Sequence, residues 1–296
     1  MFDKIINKLV SNLDKPKVPQ KINVVLSGGA FSGSYSIGVL LYLKFLEKNG
    51  FIIVDKISGC SIGAALAILF KINKLKYSTI FYELQRESFK TNLNLSISYK
   101  IGHFIKKLLD DIDVDFYKQL DGNFFISYHN IKNTKHNARS SFKSNKHLCD
   151  CIIRSCFIPF ILDTKLAYKD KYIDGFYPHF FNHDPDHKNL FINLTNFGPF
   201  EGLCITNENN NISRIMYGVY DAHLFFSKKQ NTKMCSFMED WTPIETMLIY
   251  LKRCFFFFFV HLLSFFHIYG IPISQFTMFN NFAFSSFKYI VRNFLV

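Results

Sequence analysis

Apolar and polar positions divide the chain into short apolar runs and longer stretches of helical period. Phe2, Ile5, Ile6, Leu9 and Leu13 recur at helical spacing with Lys4 and Lys8 among them, so residues 2–13 predict a short amphipathic helix. Two placements suit it: packed on the domain, or lying on a membrane surface. Pro16 and Pro19 end it and begin a linker. Lys21 to Leu26 is an apolar run of strand length that stops at Ser27, Gly28, Gly29, Ala30, Phe31, Ser32 and Gly33. Residues 34–48 return to helical spacing through Ile37, Leu40, Leu41 and Phe45. Phe51 to Ile57 predicts a second strand, Ser58 to Gly63 a second glycine-rich turn, and Ala64 to Ile72 a second helix. Strand, glycine turn and helix, twice in succession, is the pattern of a parallel α/β sheet.

Beyond this unit, residues 74–121 read as mainly helical, and Phe124–Tyr128 as a strand. Residues 132–146 are polar and basic, which predicts a loop. Leu148–Phe157 reads as a helix that stops before Pro159, and Tyr172–Asp174 as a short strand turning at Gly175. Leu190–Leu194 predicts a buried strand and residues 201–213 an Asn-rich surface loop. From Cys254 to Phe287 there is no Asp, Glu, Lys or Arg, while Lys252 and Arg253 precede the run and Lys288 and Arg292 follow it. A core helix, a spanning helix and a re-entrant or interfacial hairpin all fit so apolar a stretch. We expect the hairpin, bent at Gly270-Ile271-Pro272, because it keeps both basic flanks on one face. The chain thus divides into an amphipathic segment and linker (1–21), an α/β domain (22–240) and an apolar, membrane-associating region (241–296).

With 49% hydrophobic and 20% charged residues the chain can build a core. A net charge of +12 directs it to an anionic partner. Lys and Arg are scattered and no nucleic-acid module is present, so the expected partner is a membrane or lipid-droplet surface rather than nucleic acid. The seven Cys are irregularly spaced with no CxxC pair, and no apolar leader opens the chain. Both features point to reduced thiols and an intracellular protein at the cytosolic face of a membrane.

Gly59-Cys60-Ser61-Ile62-Gly63 matches GxSxG between an apolar strand and an Ala-rich helix. A serine at the tip of such a turn presents its hydroxyl away from the sheet, and the flanking glycines avoid Cβ clashes. The loop 27–33 also joins a strand to a helix. Its amides can cradle a phosphate or form an oxyanion hole beside Ser61. It lacks GK[ST] and places Ala30 at the second glycine of GxGxxG, which disfavours a nucleotide site. None of the ten His stands in a triad context, whereas Asp174 precedes Gly175 at the end of a β-like run. A carboxylate near a serine can act as its base, although Asp-Gly is also a common turn pair.

The glycine loop 27–33 followed by Tyr35 and Gly38-Val39-Leu40, then GCSIG at 59–63, Arg154-Ser155-Cys156-Phe157-Ile158-Pro159 and Tyr172-Ile173-Asp174-Gly175 occur in the order found in patatin-like phospholipases. Residues 22–195 resemble that family. The resemblance implies a three-layer α/β/α fold with a mainly parallel sheet, and a Ser–Asp dyad without His. It implies Ser61 as nucleophile, Asp174 as general base, and backbone amides of Gly28, Gly29 and Ala30 as oxyanion hole. Gly33, Gly59, Gly63 and Gly175 would support these motifs. Substrates would be glycerophospholipids or neutral glycerolipids, with no metal or cofactor. Three positions depart from the pattern. Ala30 replaces a glycine, and its amide remains a donor provided φ there is negative. Ser32 stands where many members carry Arg or Lys. Phe176 follows Asp174-Gly175 in place of a small residue and is expected to crowd the dyad.

His179, His183 and His187 recur every four residues with Asp184 and Asp186 between them. On a helix they would form a metal-binding face, but Pro178 and Pro185 favour a polar loop. Cys149 and Cys151 read as packing thiols. The function expected is a membrane-associated serine lipid acyl hydrolase. The alternative is a lipid-binding or scaffolding protein that retains a weak or silent site.

Overall fold

The structure, a computed structural model, describes residues 2–92, 97–112, 115–159, 165–197 and 211–269. Helix α1 (Phe2–Ser11) leads into strand β1 (Gln20–Leu26), helix α2 (Gly33–Lys48), strand β2 (Ile52–Cys60) and helix α3 (Ile62–Lys71). Helices α4 (Leu75–Asn92) and α5 (Ile97–Asp110) precede strands β3 (Phe124–Asn130) and β4 (Lys135–Arg139). Then come α6 (Asn145–Ser155), β5 (Tyr172–Asp174), β6 (Lys188–Ile192), α7 (Ile212–Lys228), β7 (Cys235–Phe237) and α8 (Pro243–Ile268).

The sheet runs β4-β3-β2-β1-β6-β7. β1, β2, β3 and β6 are parallel, and β4, β5 and β7 add antiparallel pairings. The register of β1 on β2 shifts between Ile22 and Val24. This irregularity takes up the consecutive polar residues Asp55 and Lys56, so Val54 and Ile57 are both buried.

Alternate residues of the strands meet different layers. Ile22, Val24, Leu26, Phe124, Ile126, Leu190 and Ile192 join α2, α3, α6 and α7 in the main core. On the other face Phe125 packs against His179 and Phe181, and Phe191 against Phe180 and Trp241. α1 belongs to the main core through its fully buried Ile6 and Val10. α2 and α7 cross at Gly38 and Gly218, where a Cβ on either would run into the partner helix backbone.

Three elements differ from the sequence expectations. Residues 135–139, expected within a loop, form β4, an edge strand with no apolar residue but Ala138. α7 begins at Ile212, where a surface loop was expected to continue; the part of that loop at 201–210 lies outside the described residues. α8 starts well before Cys254, because Thr242 and Glu245 form a capping box with Pro243 in the first turn. The expected bend at Gly270-Ile271-Pro272 also lies outside the described residues.

Candidate active site

Ser61 stands alone between β2 and α3 with φ 53° and ψ −133°. A non-glycine residue in this region carries strain of roughly 1–3 kcal/mol and marks a position fixed by its surroundings. The flanking glycines are required by close approach. A Cβ on Gly59 would lie 2.6 Å from the Ala64 nitrogen, and one on Gly63 would lie 2.7 Å from the Ser27 carbonyl oxygen. The Ser61 carbonyl accepts from Ala64 at 3.0 Å, which starts α3. The amides of Ile62 and Gly63 therefore precede the first intrahelical bond and lie at the positive end of the helix. The Ser61 amide donates to Ser155 Oγ at 2.9 Å, and that hydroxyl donates to the Ser127 carbonyl at 2.7 Å. Ser155, in the Arg154–Pro159 block, thereby ties the turn to β3. Sequence reasoning assigned it no role.

The glycine loop lies against this turn. A Cβ on Gly28 would sit 2.9 Å from Ser61 Cβ, and one on Gly29 would meet Leu194 at 2.8 Å. Gly33 packs under Tyr82 and Ile62, and Tyr82 donates to the Ala30 carbonyl at 3.1 Å. The Gly29 and Ala30 amides donate to no backbone carbonyl among the described residues. Ala30 has φ 46°, so the negative φ anticipated for it is not adopted; its N–H remains a donor all the same, since a backbone amide donates at either sign of φ. The residue occupies the left-handed conformation that glycine takes without cost. Ser32 is buried inside the turn.

Asp174 reaches the same place from the opposite direction. Cys60 of β2 pairs with Ser127 of β3. The next residue of β3, Tyr128, pairs with Asp174 of β5. β2 and β5 thus lie end to end along one edge of β3, and Ser61 and Asp174 converge at the junction. Gly175 makes this possible, since a Cβ there would strike the Ser127 carbonyl. The Asp174 amide donates to the Phe157 carbonyl at 2.7 Å.

The Asp174 carboxyl is 2% exposed. Its Oδ1 accepts from the Phe176 amide at 2.7 Å, whereas Oδ2 has no hydrogen-bond partner of normal geometry. Burial pushes its pKa up to about 7, opposed by the Phe176 amide and by the nearby Ser61 hydroxyl. The thiols of Cys60 and Cys156 are pushed well up by burial and then by Asp174, which keeps them inert.

The His residues are placed otherwise. His129 Nδ1 lies 3.0 Å from the Asp174 backbone carbonyl, not its carboxylate. Burial lowers the His129 pKa to about 4, so the ring is neutral. His179 stacks on Phe125, while His187 bonds Asp184 at 2.9 Å and lies 3.3 Å from Asp55. Among the described residues no cluster of His, Cys, Asp or Glu could hold a metal. Cys149 and Cys151 are buried in α6. Phe176 contacts Asp174 through its amide, while its ring stacks on Phe256 of α8 with centroids 5.0 Å apart. Phe176 takes a left-handed turn, φ 57°.

A search of the curated proteins finds no match. The family model described as Patatin-like phospholipase matches residues 24–178, more than half of the 296 residues. That span contains the glycine loop, the Ser61 turn, the Ser155 block and Asp174. The chain therefore belongs to the patatin-like phospholipases, a family of lipid acyl hydrolases.

Proposed function

We propose that the protein hydrolyses the acyl esters of glycerophospholipids or neutral glycerolipids with Ser61 as nucleophile and Asp174 as base. The observation that carries this reading is the convergence of Ser61 with a buried carboxyl whose Oδ2 is left without a partner. A carboxyl with a pKa near neutrality suits a base at neutral pH.

Ser61 Oγ attacks the ester carbonyl and its proton passes to Asp174. The oxyanion is held by amides of Gly28, Gly29 and Ala30, with those at the start of α3 beside them. Asp174 returns the proton to the departing alcohol, leaving an acyl-enzyme. A water then attacks the acyl carbon and gives its proton to Asp174. The serine recovers that proton as the fatty acid leaves.

Lipid reaches this site from the surface carrying α8. The helix is 26 residues and apolar enough to cross a membrane, yet 17% of its most apolar window is buried. Phe255, Phe257, Phe258, Leu262, Phe265 and Ile268 are exposed. One edge, through Val260 and Leu263, packs on the domain. A helix bound along its side to the domain fits an interfacial position better than a perpendicular span. In this reading residues 22–240 form the catalytic unit, with α1 packed upon it. Residues 241–296 seat it on the cytosolic face of a membrane or on a lipid droplet, while Lys252 donates to Thr195 and Arg253 lies over Tyr177 and Phe180, which hold α8 to the domain.

The test is release of labelled fatty acid from phospholipid and triacylglycerol by the wild type and by Ser61→Ala. Loss of release in the variant supports the reading; equal rates refute it. The second reading, a lipid-binding scaffold with a silent site, draws on the left-handed Ala30. It predicts lipid binding without release by either protein.

A further inference from the structure

α8 presents apolar side chains on nearly every face, but few of them touch the domain. Among its described residues only Val260, Leu263 and Ser264 are buried. Around them lies a small second core built from Ile131, Leu166, Ala167 and Ile173, against which Phe176 and Phe259 pack. Phe176 is the centre of the aromatic contact. Its ring lies parallel to Phe256, with centroids 5.0 Å apart and planes inclined by 6°. Phe259 meets it edge-on at 5.7 Å. Parallel and edge-on partners together fix both the position and the tilt of a ring.

The backbone of Phe176 is in a conformation that a phenylalanine does not choose for itself. Its φ is 57°, which bulky L-residues avoid. The amide of the same residue donates to Asp174 Oδ1 at 2.7 Å, and φ fixes where the ring stands relative to that amide. The strained backbone has to be held, and the ring on the same residue is clamped by α8.

We propose that Phe176 is a positioning residue for Asp174, held in its left-handed turn by Phe256 and Phe259 of the lipid-facing helix. The orientation of the carboxylate then depends on α8 being docked, and the apolar C-terminal region is a working part of the active site as well as an anchor. The proposal rests on Asp174 being the base. It explains why a bulky residue is tolerated after Asp174-Gly175: the ring supplies from α8 the constraint that a small residue would not need.

The groups facing the Asp174 carboxyl are Ser61, Cys60 and Cys156, with His129 on its backbone carbonyl. Because the Phe176 amide favours the charged carboxylate, weakening that bond moves the acid limb of the pH–rate profile upward.

The experiment compares full-length wild type with Phe256→Ala, Phe256→Tyr and the double variant Phe256→Ala/Phe176→Gly. The substrate is the soluble ester p-nitrophenyl butyrate, so membrane recruitment does not enter. Phe256→Ala is expected to lower kcat roughly tenfold with little change in KM, and to shift the acid limb upward. Phe256→Tyr keeps the stack and should restore both. Phe176→Gly adopts positive φ without a clamp and should restore them in the Phe256→Ala background. Unchanged kcat and pH limb in Phe256→Ala would overturn the proposal, as would a loss that neither second variant repairs. Hydrogen exchange at the Phe176 amide, which needs no turnover, should speed up roughly tenfold in Phe256→Ala; an unchanged rate also overturns it. A wild type that hydrolyses no ester sinks the hydrolase reading, while the exchange comparison still judges the clamp.

Discussion

Cys60 and Asp174 pair with consecutive residues of β3, Ser127 and Tyr128. This register brings together two groups 113 positions apart in the chain by number, 61 and 174. One strand arrives parallel and ends in the Ser61 turn; the other arrives antiparallel and ends in Asp174-Gly175. The proposed chemistry depends on their meeting at that step of the ladder.

Replacing Asp174 by Asn should abolish hydrolysis and stabilise the fold. Its folded pKa, about 7, lies above the ordinary carboxylate value. The folded state therefore holds a proton that the unfolded state releases between about pH 4 and pH 7. Stability falls as pH rises through that window, and at higher pH the buried charge costs up to about 4 kcal/mol. Asn carries no such charge and can still accept from the Phe176 amide. Urea unfolding should show Asp174→Asn more stable than wild type at pH 8, by about 2–4 kcal/mol, with a smaller gain at pH 5.

The same titration sets the pH dependence of turnover. A base must be ionised, so kcat/KM should rise with pH through about 7 and level off above it. A profile flat from pH 5 to pH 8 on a soluble ester would contradict the assignment of Asp174.

Ser155→Ala removes the acceptor of the Ser61 amide and the donor to the Ser127 carbonyl. Leaving both buried groups unpaired should cost about 1–3 kcal/mol. It should also lower kcat, because the strained Ser61 turn loses its tie to β3. Ser155→Thr, which keeps the hydroxyl, should lose less of both.

Ala30→Gly should be neutral or stabilising. The left-handed backbone at Ala30 costs roughly 1–2 kcal/mol that glycine does not incur, partly offset by the larger entropy glycine loses on folding. A net gain of about 0.5 kcal/mol in urea unfolding is expected, with the loop unchanged.

Phe255 and Phe258 are 67% and 77% exposed on α8. Phe255→Glu/Phe258→Glu should therefore leave the melting temperature in detergent-free buffer unchanged. Binding to phosphatidylcholine vesicles containing phosphatidylserine should fall by at least roughly tenfold, as two apolar side chains worth about 2 kcal/mol each are lost to the interface.

Much of this arrangement is readable in the chain, and the omissions have physical causes. β1, β2 and β6 are apolar runs because a parallel sheet covered on both faces demands them, and the Ser61 turn follows from glycines whose spacing only close approach explains. β4 is invisible to a hydrophobic pattern: Lys135–Arg139 is a polar edge strand, held on β3 by backbone bonds and by His136 packing on His129. α7 carries Ile215, Val219, Ala222 and Phe225 on one buried face, and the reason for Gly218 shows only in its close contact with α2. The early start of α8 was written in Thr242, Pro243 and Glu245, and was obscured by the mixed polarity of its first turns. Ser155 and the Phe176 clamp lie beyond reach of sequence reasoning, since their partners are distant in the chain.

Reaction of the full-length protein with a fluorophosphonate probe, followed by peptide mass mapping, tests the central claim most directly. The account predicts a single adduct on Ser61, formed faster as pH rises through about 7, and lost in Ser61→Ala and Asp174→Asn. An adduct on another residue, or none on a folded protein, would contradict it.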